Sequence, residues 1–241
     1  MWSLFSRQTI AESGILDGMT DYHSHILPGV DDGIQTFEKA LEILTLYEEL
    51  GIRKVWLTPH IMEDYPNRTN GLRERFNELS ACYIRSSKAP VTLFLASENM
   101  IDSLFMHRLN KDDLLPIIDS QHLLVETSYY IPPFNLIKLL EQIIYKGYTP
   151  ILAHPERYYY LSNIHEYEDF CSVGVKLQLD LASIVGVYGE DVRRKALTLI
   201  QKGYYSLVGT DIHDHKSFVE WINIPVKKKI LKSLSCLTNG K

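Results

Sequence analysis

The chain has 241 residues, 45% apolar and 23% charged, which are globular averages that supply a sizeable core for one α/β barrel or two small domains. A net charge of −5 argues against a nucleic-acid-coating surface, and three cysteines (Cys82, Cys171, Cys236) without a CxxC exclude a disulfide framework and fit a reducing compartment. No apolar run approaches a membrane span and residues 1–7 lack a signal-peptide pattern, so the expectation is a soluble cytoplasmic protein without membrane insertion.

An N-terminal arm, residues 1–17, precedes a single domain over 18–241, with Trp2, Leu4 and Phe5 as packing residues. The first strand is expected over Met19–His23. Residues two apart leave one face of a strand, so His23 and His25 project together. Asp21 shares that parity, which predicts a hydrogen bond to a ligand imidazole. Asp32 follows, with Asp31 ambiguous beside it. Ala40, Ile43, Leu44 and Tyr47 form an apolar helical stripe that stops at Gly51. The second strand, Lys54–Thr58, leads to His60, a loop over 61–71 and a helix striped by Leu72, Phe76, Leu79 and Tyr83. The third, Val91–Ser97, is followed by Glu98 and by a loop over 99–121 with only a short helical stretch. The fourth, His122–Glu126, closes on Glu126, and its helix carries Leu136, Leu139, Leu140 and Ile143 before Gly147. The fifth, Pro150–Ala153, delivers His154, Arg157 and the run Tyr158–Tyr160. The sixth, Val175–Leu179, begins after Gly174 and delivers Asp180. The seventh, Tyr205–Gly209, begins after Gly203 and delivers Asp211 and His213. Lys227–Lys229 lies in a terminal helical pattern and reads as a solvated face.

Seven strand–helix pairs without a composition break fit either an open doubly wound sheet or a barrel. In an open sheet only the strands flanking the switch point meet a ligand, whereas a barrel gathers every strand end around one mouth. Metal-type donors at the strand ends therefore predict a barrel with its site at the C-terminal strand ends.

Nine candidate ligands emerge: His23, His25, Asp32, His60, Glu98, Glu126, His154, Asp211 and His213. All offer nitrogen or oxygen and none a thiolate, which suits manganese, iron or zinc. Nine are too many for one ion, so two or three ions sharing a carboxylate are expected. His107, His122 and His165 lie away from strand C-termini and read as ordinary bonded or surface histidines. Asp180 reads as an acceptor behind the ligands or as a strand-end cap. Such a cluster does hydrolytic chemistry, and phosphate esters fit because their charge needs nearby cations. Arg157 offers a guanidinium to a phosphoryl group, the alternative being a surface salt bridge with Glu156. A thiol mechanism needs Cys-x5-Arg. Lys88 follows Cys82 at that spacing, Leu177 follows Cys171, and Cys236 lies too near residue 241. No P-loop, GxGxxG or GxSxG arrangement is present.

Asp21-x-His23-x-His25, Leu27-Pro28-Gly29-Val30-Asp31-Asp32-Gly33, Thr58-Pro59-His60, Ala153-His154-Pro155-Glu156-Arg157-Tyr158 and Gly209-Thr210-Asp211-x-His213 carry a family likeness from about Gly18 to Asp214. Together they resemble the polymerase and histidinol phosphatase (PHP) superfamily and, more narrowly, its bacterial metal-dependent protein-tyrosine-phosphatase branch of capsule and exopolysaccharide synthesis. The resemblance implies a distorted (βα)7 barrel and a trinuclear site often filled with manganese. It also implies hydrolysis of phosphotyrosine by a metal-bound hydroxide, on a bacterial tyrosine autokinase with a tyrosine-rich tail. The family's metal ligands fall on the nine residues above, its phosphate-contacting arginine falls on Arg157, and Arg157, Asp211 and His213 carry the chemistry. Many relatives have Asn and then Arg beyond the last motif, where this chain has Asp214, His215 and Lys216. Lys216 or His215 is therefore expected to act as a second cationic clamp on phosphate. Asp180 stands where relatives often carry Asn. Tyr158–Tyr160 either flank the substrate ring or pack. The rival readings are a phosphatase of histidinol phosphate or another small ester, and a non-catalytic metal-stabilised protein that binds a kinase tail.

Overall fold

The computed structural model describes residues 6–117 and 121–238, so Trp2, Leu4 and Phe5 lie outside the described residues. In chain order the elements are β1 (Arg7–Gln8), β2 (Thr20–Ser24), α1 (Phe37–Glu49), β3 (Lys54–Leu57), β4 (His60–Ile61), α2 (Thr69–Ser86), β5 (Thr92–Leu95), β6 (Glu98–Met100), α3 (Ser103–Lys111) and β7 (His122–Glu126). There follow α4 (Leu136–Tyr145), β8 (Thr149–Ala153), α5 (Ile164–Ser172), β9 (Lys176–Asp180), α6 (Glu190–Lys202), β10 (Tyr205–Gly209), α7 (His215–Ile222), β11 (Val226–Lys227) and α8 (Lys228–Thr238).

The periodic stripes become buried faces. Ala40, Ile43, Leu44 and Tyr47 are the buried residues of α1, whose first turn is capped by Thr36 accepting from the Lys39 amide. On α2 the buried set is Leu72, Leu79 and Tyr83, with Phe76 packed at its margin. Gly51, Gly147, Gly174 and Gly203 all adopt positive φ between a helix and the next strand, a geometry that costs glycine little because it has no Cβ.

Parallel pairing builds two sheets, one of six strands in the order β10-β9-β8-β7-β6-β4 and one of three in the order β2-β3-β5. Of the expected distorted (βα)7 barrel, the α/β fold with parallel strands is present, while the described strands form two sheets and no closed cylinder. Two predicted strands are each followed, after a break at their C-terminal end, by a short further strand that joins the other sheet. Lys54–Thr58 and His60 are separated by Pro59, which has no amide to donate, so β3 pairs with β2 and β5 while β4 pairs with β6. Val91–Ser97 breaks at Ala96-Ser97, where the Ser97 amide turns to the Leu115 carbonyl at 3.1 Å. At the other seam β10 meets β2 through single bonds around an isolated bridge, Ser24↔Ile212, with the Asp211 amide on the His23 carbonyl at 2.9 Å. Gly209 makes this approach feasible, since a Cβ there would overlap the Cβ of His23.

Alternation then sorts the side chains. Leu123, Val125 and Leu152 face the helices in the main core, while Leu124, Ile151, Ala153 and Leu207 turn to the other face. There they join Ala96 and Ile117 and meet Tyr22 and Trp56 of the three-stranded sheet. Glu126 shares the parity of Leu124, so the strand that fills this small cluster also aims a carboxylate above it. Residues 6–17 are tied down: β1 pairs antiparallel with β11, the Ala11 amide donates to the Ile222 carbonyl, and Ile10, Ile15 and Leu16 are buried. No helix of the described residues is long and apolar enough to cross a membrane.

Candidate metal centre

At the C-terminal ends of the parallel strands the chain bends sharply to turn polar side chains inward. His154, after β8, has φ 34°, and Asp211, after β10, has φ 49°. Left-handed backbone at residues with a Cβ costs about 1–3 kcal/mol each, and such strain is characteristic of functional positions.

The predicted donors converge. Glu98, fully buried, sets Oε2 3.1 Å from His23 Nε2, 3.3 Å from His25 Nε2 and 3.1 Å from His60 Nδ1. Its Oε1 lies 3.0 Å from His154 Nε2, which is also 3.8 Å from Glu126. Asp211 Oδ1 lies 3.2 Å from His23 Nε2 and 3.3 Å from His25 Nε2. Three groups have donor atoms close enough to share an ion: His25, Asp32, His60 and His213; His23, His25, Glu98 and Asp211; and His60, Glu98 and Glu126. His154 stands against the last of these. A neutral imidazole has one free lone pair, so His25 and His60 each serve a single ion of the two groups they touch.

His154 Nε2 meets Glu98 Oε1 and His23 Nε2 meets His25 Nε2 at hydrogen-bond distance, but much of the close approach here is not hydrogen bonding. His60 Nδ1, Glu98 Oε2, Glu126 Oε1, His154 Nδ1 and Asp211 Oδ1 are buried without a hydrogen-bond partner, five of the seven such side-chain atoms among the described residues. Each unsatisfied buried group costs about 1–3 kcal/mol. Most of these atoms crowd toward shared points instead of aligning with one another, as a coordination set does. The outer hydrogen bonds agree. His23 Nδ1 meets Gln178 Oε1 at 3.0 Å, His25 Nδ1 meets Asp31 Oδ2 at 2.9 Å, and His213 Nδ1 meets the Asp211 carbonyl at 2.8 Å. With Nδ1–H donated outward, each Nε2 keeps its lone pair for an ion. The residues present therefore fit divalent ions.

Charge has clear signs. Burial disfavours protonated imidazole, yet Glu98 and Asp211 push His23 up to about 9. For His60, burial and the His25 charge are outweighed by Glu98 and Glu126, which push it up to about 10. Against burial, His23 holds both Glu98 and Asp211 well below the carboxylate range. These histidines thus stabilise metal-free protein fully below their ordinary value of 6.5, and that contribution is lost as pH rises through about 9–10. The carboxylates contribute above their ordinary values and lose that contribution in acid. Ligation needs neutral imidazole, so bound ions reverse the histidine slope. Chelator-treated protein is expected to melt at falling temperature from pH 6.5 to 9, while the gap to metal-supplemented protein widens. Thermal denaturation across that range checks this, and parallel curves would contradict it.

The remaining predicted residues divide. Arg157 does not bridge to Glu156. Its Nη1 lies 2.5 Å from Asp211 Oδ2 and 3.4 Å from Asp180 Oδ2, whereas Glu156 is buried and accepts from the Asp180 amide and the Tyr205 hydroxyl. Asp180 caps the Ala182 amide as one of its expected roles, and its other contact is with Arg157 rather than with a ligand side chain. Burial first and then the Asp211 charge push Asp180 up to about 8. Asp21 does not touch a ligand imidazole: it accepts from the His23 amide, Tyr47 and Thr210, because the register shifts between Asp21 and Ser24 and breaks the parity. Lys216 is corrected as a phosphate clamp, since its side chain is 86% exposed on α7 and pairs with Glu220 at 3.8 Å. Of the tyrosine run, Tyr158 and Tyr160 stack on each other against the core, and only Tyr159 is exposed. Gln178 and Asp31 are the orienting residues that sequence reasoning missed or left open. Asp31 also accepts the His60 amide at 2.9 Å, and against burial the neighbouring His25 holds it down at about 2.

The donors open into a cleft of about 510 Å³, lined also by Arg157, Tyr129 and Tyr188, with Arg157 its only Lys or Arg among the described residues. The profile of the family described as capsular polysaccharide synthesis, CpsB/CapC, matches residues 19–223. The chain is 28% identical over 201 residues to the tyrosine-protein phosphatase YwqE of Bacillus subtilis, covering 83% of this chain and 79% of that one. It is 23% identical over 203 residues to the tyrosine-protein phosphatase CpsB of Streptococcus pneumoniae, covering 81% and 83%. Among solved structures, one from work on YwqE and CpsB as metal-dependent tyrosine phosphatases superposes with a TM-score of 0.79 at 26% identity, over 92% of this chain and 89% of the other.

Proposed function

The chain belongs to the CpsB/CapC family of capsular polysaccharide synthesis, and on that basis we propose that it is a metal-dependent protein-tyrosine phosphatase. The observation that carries this reading is the gathering of nine nitrogen and oxygen donors beneath one cleft, with Glu98 meeting four of the histidines among them. His25, Asp32, His60 and His213 would hold one ion, His23, Glu98 and Asp211 a second, and Glu126 and His154 with Glu98 a third; five imidazoles and four carboxylates without a thiolate suit manganese, iron or zinc, and we favour manganese. Bound ions supply a water of lowered pKa and positive charge for phosphoryl oxygens.

The chain's own residues do the rest. Arg157 turns its N–H edge to the phosphoryl group and offsets charge on it in the transition state. Asp31 and Gln178 hold the tautomers of His25 and His23. A protein substrate, rather than a small ester, is supported by the rim beside the cleft. There Tyr130, Ile131 and Phe134 are 72%, 74% and 88% exposed, and Tyr130 stacks on exposed Tyr159. Pro132 and Pro133 stiffen this loop, so little entropy is lost when a polypeptide settles on it. We favour a bacterial tyrosine kinase as the phosphotyrosine-bearing protein, a cytoplasmic location, and one domain over 18–241 preceded by the arm at 1–17.

Metal-supplemented protein is expected to release phosphate from a phosphotyrosine peptide with higher kcat/KM than from histidinol phosphate, and chelator to stop it. Higher efficiency on histidinol phosphate would overturn the substrate class, and binding of a kinase tail without release would favour the non-catalytic reading. Replacing Tyr130 and Phe134 together with Ser is expected to raise KM several-fold for a phosphorylated protein while leaving p-nitrophenyl phosphate hydrolysis near its original rate.

A further inference from the structure

Arg157 stands over two aromatic rings. Its Cζ stands 4.6 Å from the centroid of the Tyr129 ring and 4.1 Å from that of Tyr188. Both distances lie within the range of cation–π attraction, and a planar guanidinium is suited to stack on aromatic faces. The rings come from different parts of the chain. Tyr129 follows β7, and the Tyr159 amide donates to its carbonyl at 2.8 Å, which ties its loop to the turn that carries Arg157. Tyr188 sits between Gly186 and Gly189, both at positive φ, on the loop that leads into α6. The Tyr188 hydroxyl hydrogen-bonds Asp180, the carboxylate that also meets Arg157. Burial pushes both phenols well above their usual range, so both rings stay neutral beside the cation.

Without the rings, the guanidinium would face only Asp211 and Asp180 and would fold flat onto them. Two rings taking it from opposite sides would fix its plane, with Nη1 held by Asp211 and Asp180 and the rest of the N–H edge left to reach into the cleft. We propose that Tyr129 and Tyr188 are a pair of positioning residues that clamp the Arg157 guanidinium from both sides and aim its edge at the phosphoryl oxygens of the substrate. This rests on the reading of Arg157 as the phosphoryl contact. One corollary is that these two ring faces, being occupied by Arg157, do not stack on the substrate's phenyl ring.

The test combines Tyr129→Leu and Tyr188→Leu, each with its Phe counterpart, in the native and Arg157→Ala backgrounds. On p-nitrophenyl phosphate each Leu variant is expected to lower kcat by about 10- to 100-fold with little change in KM, as misaimed catalytic groups do. Phe is expected to recover most of that loss, because the ring face and not the hydroxyl makes the contact. In the Arg157→Ala background the Leu changes are expected to add nothing, since interacting residues are non-additive. Equal losses in both backgrounds, or Phe as damaging as Leu, would overturn the clamp. A second readout does not depend on hydrolysis: in zinc-treated protein the Arg157 Nε–H resonance should carry a ring-current shift that each Leu variant reduces. An unmoved resonance overturns the clamp. A wild-type protein that releases no phosphate overturns only the phosphatase reading, with the resonance still deciding the clamp.

Discussion

Replacing Glu98 with Gln is expected to leave a folded protein that has lost most of its bound metal and at least about 100-fold of its phosphotyrosine hydrolysis. Glu98 is fully buried, and its two oxygens face His23, His25, His60 and His154 within 3.3 Å. Partners one layer behind a ligand already cost about 10- to 100-fold when removed, so a carboxylate shared between two donor groups costs more. Glutamine keeps the shape but brings a donor amide to a point where ions or imidazolium groups need an acceptor. The metal-free variant is also expected to be destabilised by about 3–5 kcal/mol below pH 6.5, because protonated His23 and His60 lose their buried counter-charge. Elemental analysis, a phosphate-release assay and a melting curve read the three consequences. Native metal content with native activity would place the site elsewhere.

Arg157→Ala is expected to lower kcat by about 10²- to 10³-fold, the usual cost of one oriented donor to a developing charge. The effect should sit at the upper end because the cleft has no other Lys or Arg lining it among the described residues, Lys216 being turned to Glu220. Arg157→Lys is expected to recover only part of the rate, since a point charge replaces a two-toothed fork and cannot fill the space between two rings. Metal content should hold, because Arg157 meets Asp211 through Oδ2 while the donor group forms around Oδ1. Loss of metal in the Ala variant would make Arg157 a structural partner of Asp211 and remove it from the chemistry.

Much of this was legible in the residues. The apolar runs located the strands because parallel strands are buried on both faces, and the glycines after helices marked where each next strand begins. What escaped depends on side-chain direction and on backbone breaks. Pro59 was visible, but its effect of sending His60 into a different sheet requires knowing both neighbours of the strand. Gln178 is a neutral amide in an apolar run and gives no ionisable signal, yet it orients His23. Asp21 shares strand parity with the histidines, yet the register slips between Asp21 and Ser24 and its carboxylate goes to Tyr47 and Thr210. Lys216 stands one residue into α7, and the helical turn, not sequence distance from His213, decides that it faces outward.

The seam between β2 and β10 bears on how the molecule assembles. The Thr210 amide meets Asp21 across 189 residues of chain, so this contact closes a long loop, exceeded by the pairing of β1 with β11. A nascent chain that has made β2, β3 and β5 already contains His23, His25 and His60 but lacks Asp211 and His213, which follow β10. Such distant pairings form late in folding. The complete donor set therefore exists only after β10, the last of the parallel strands, docks, and full metal uptake reports a molecule with that seam closed.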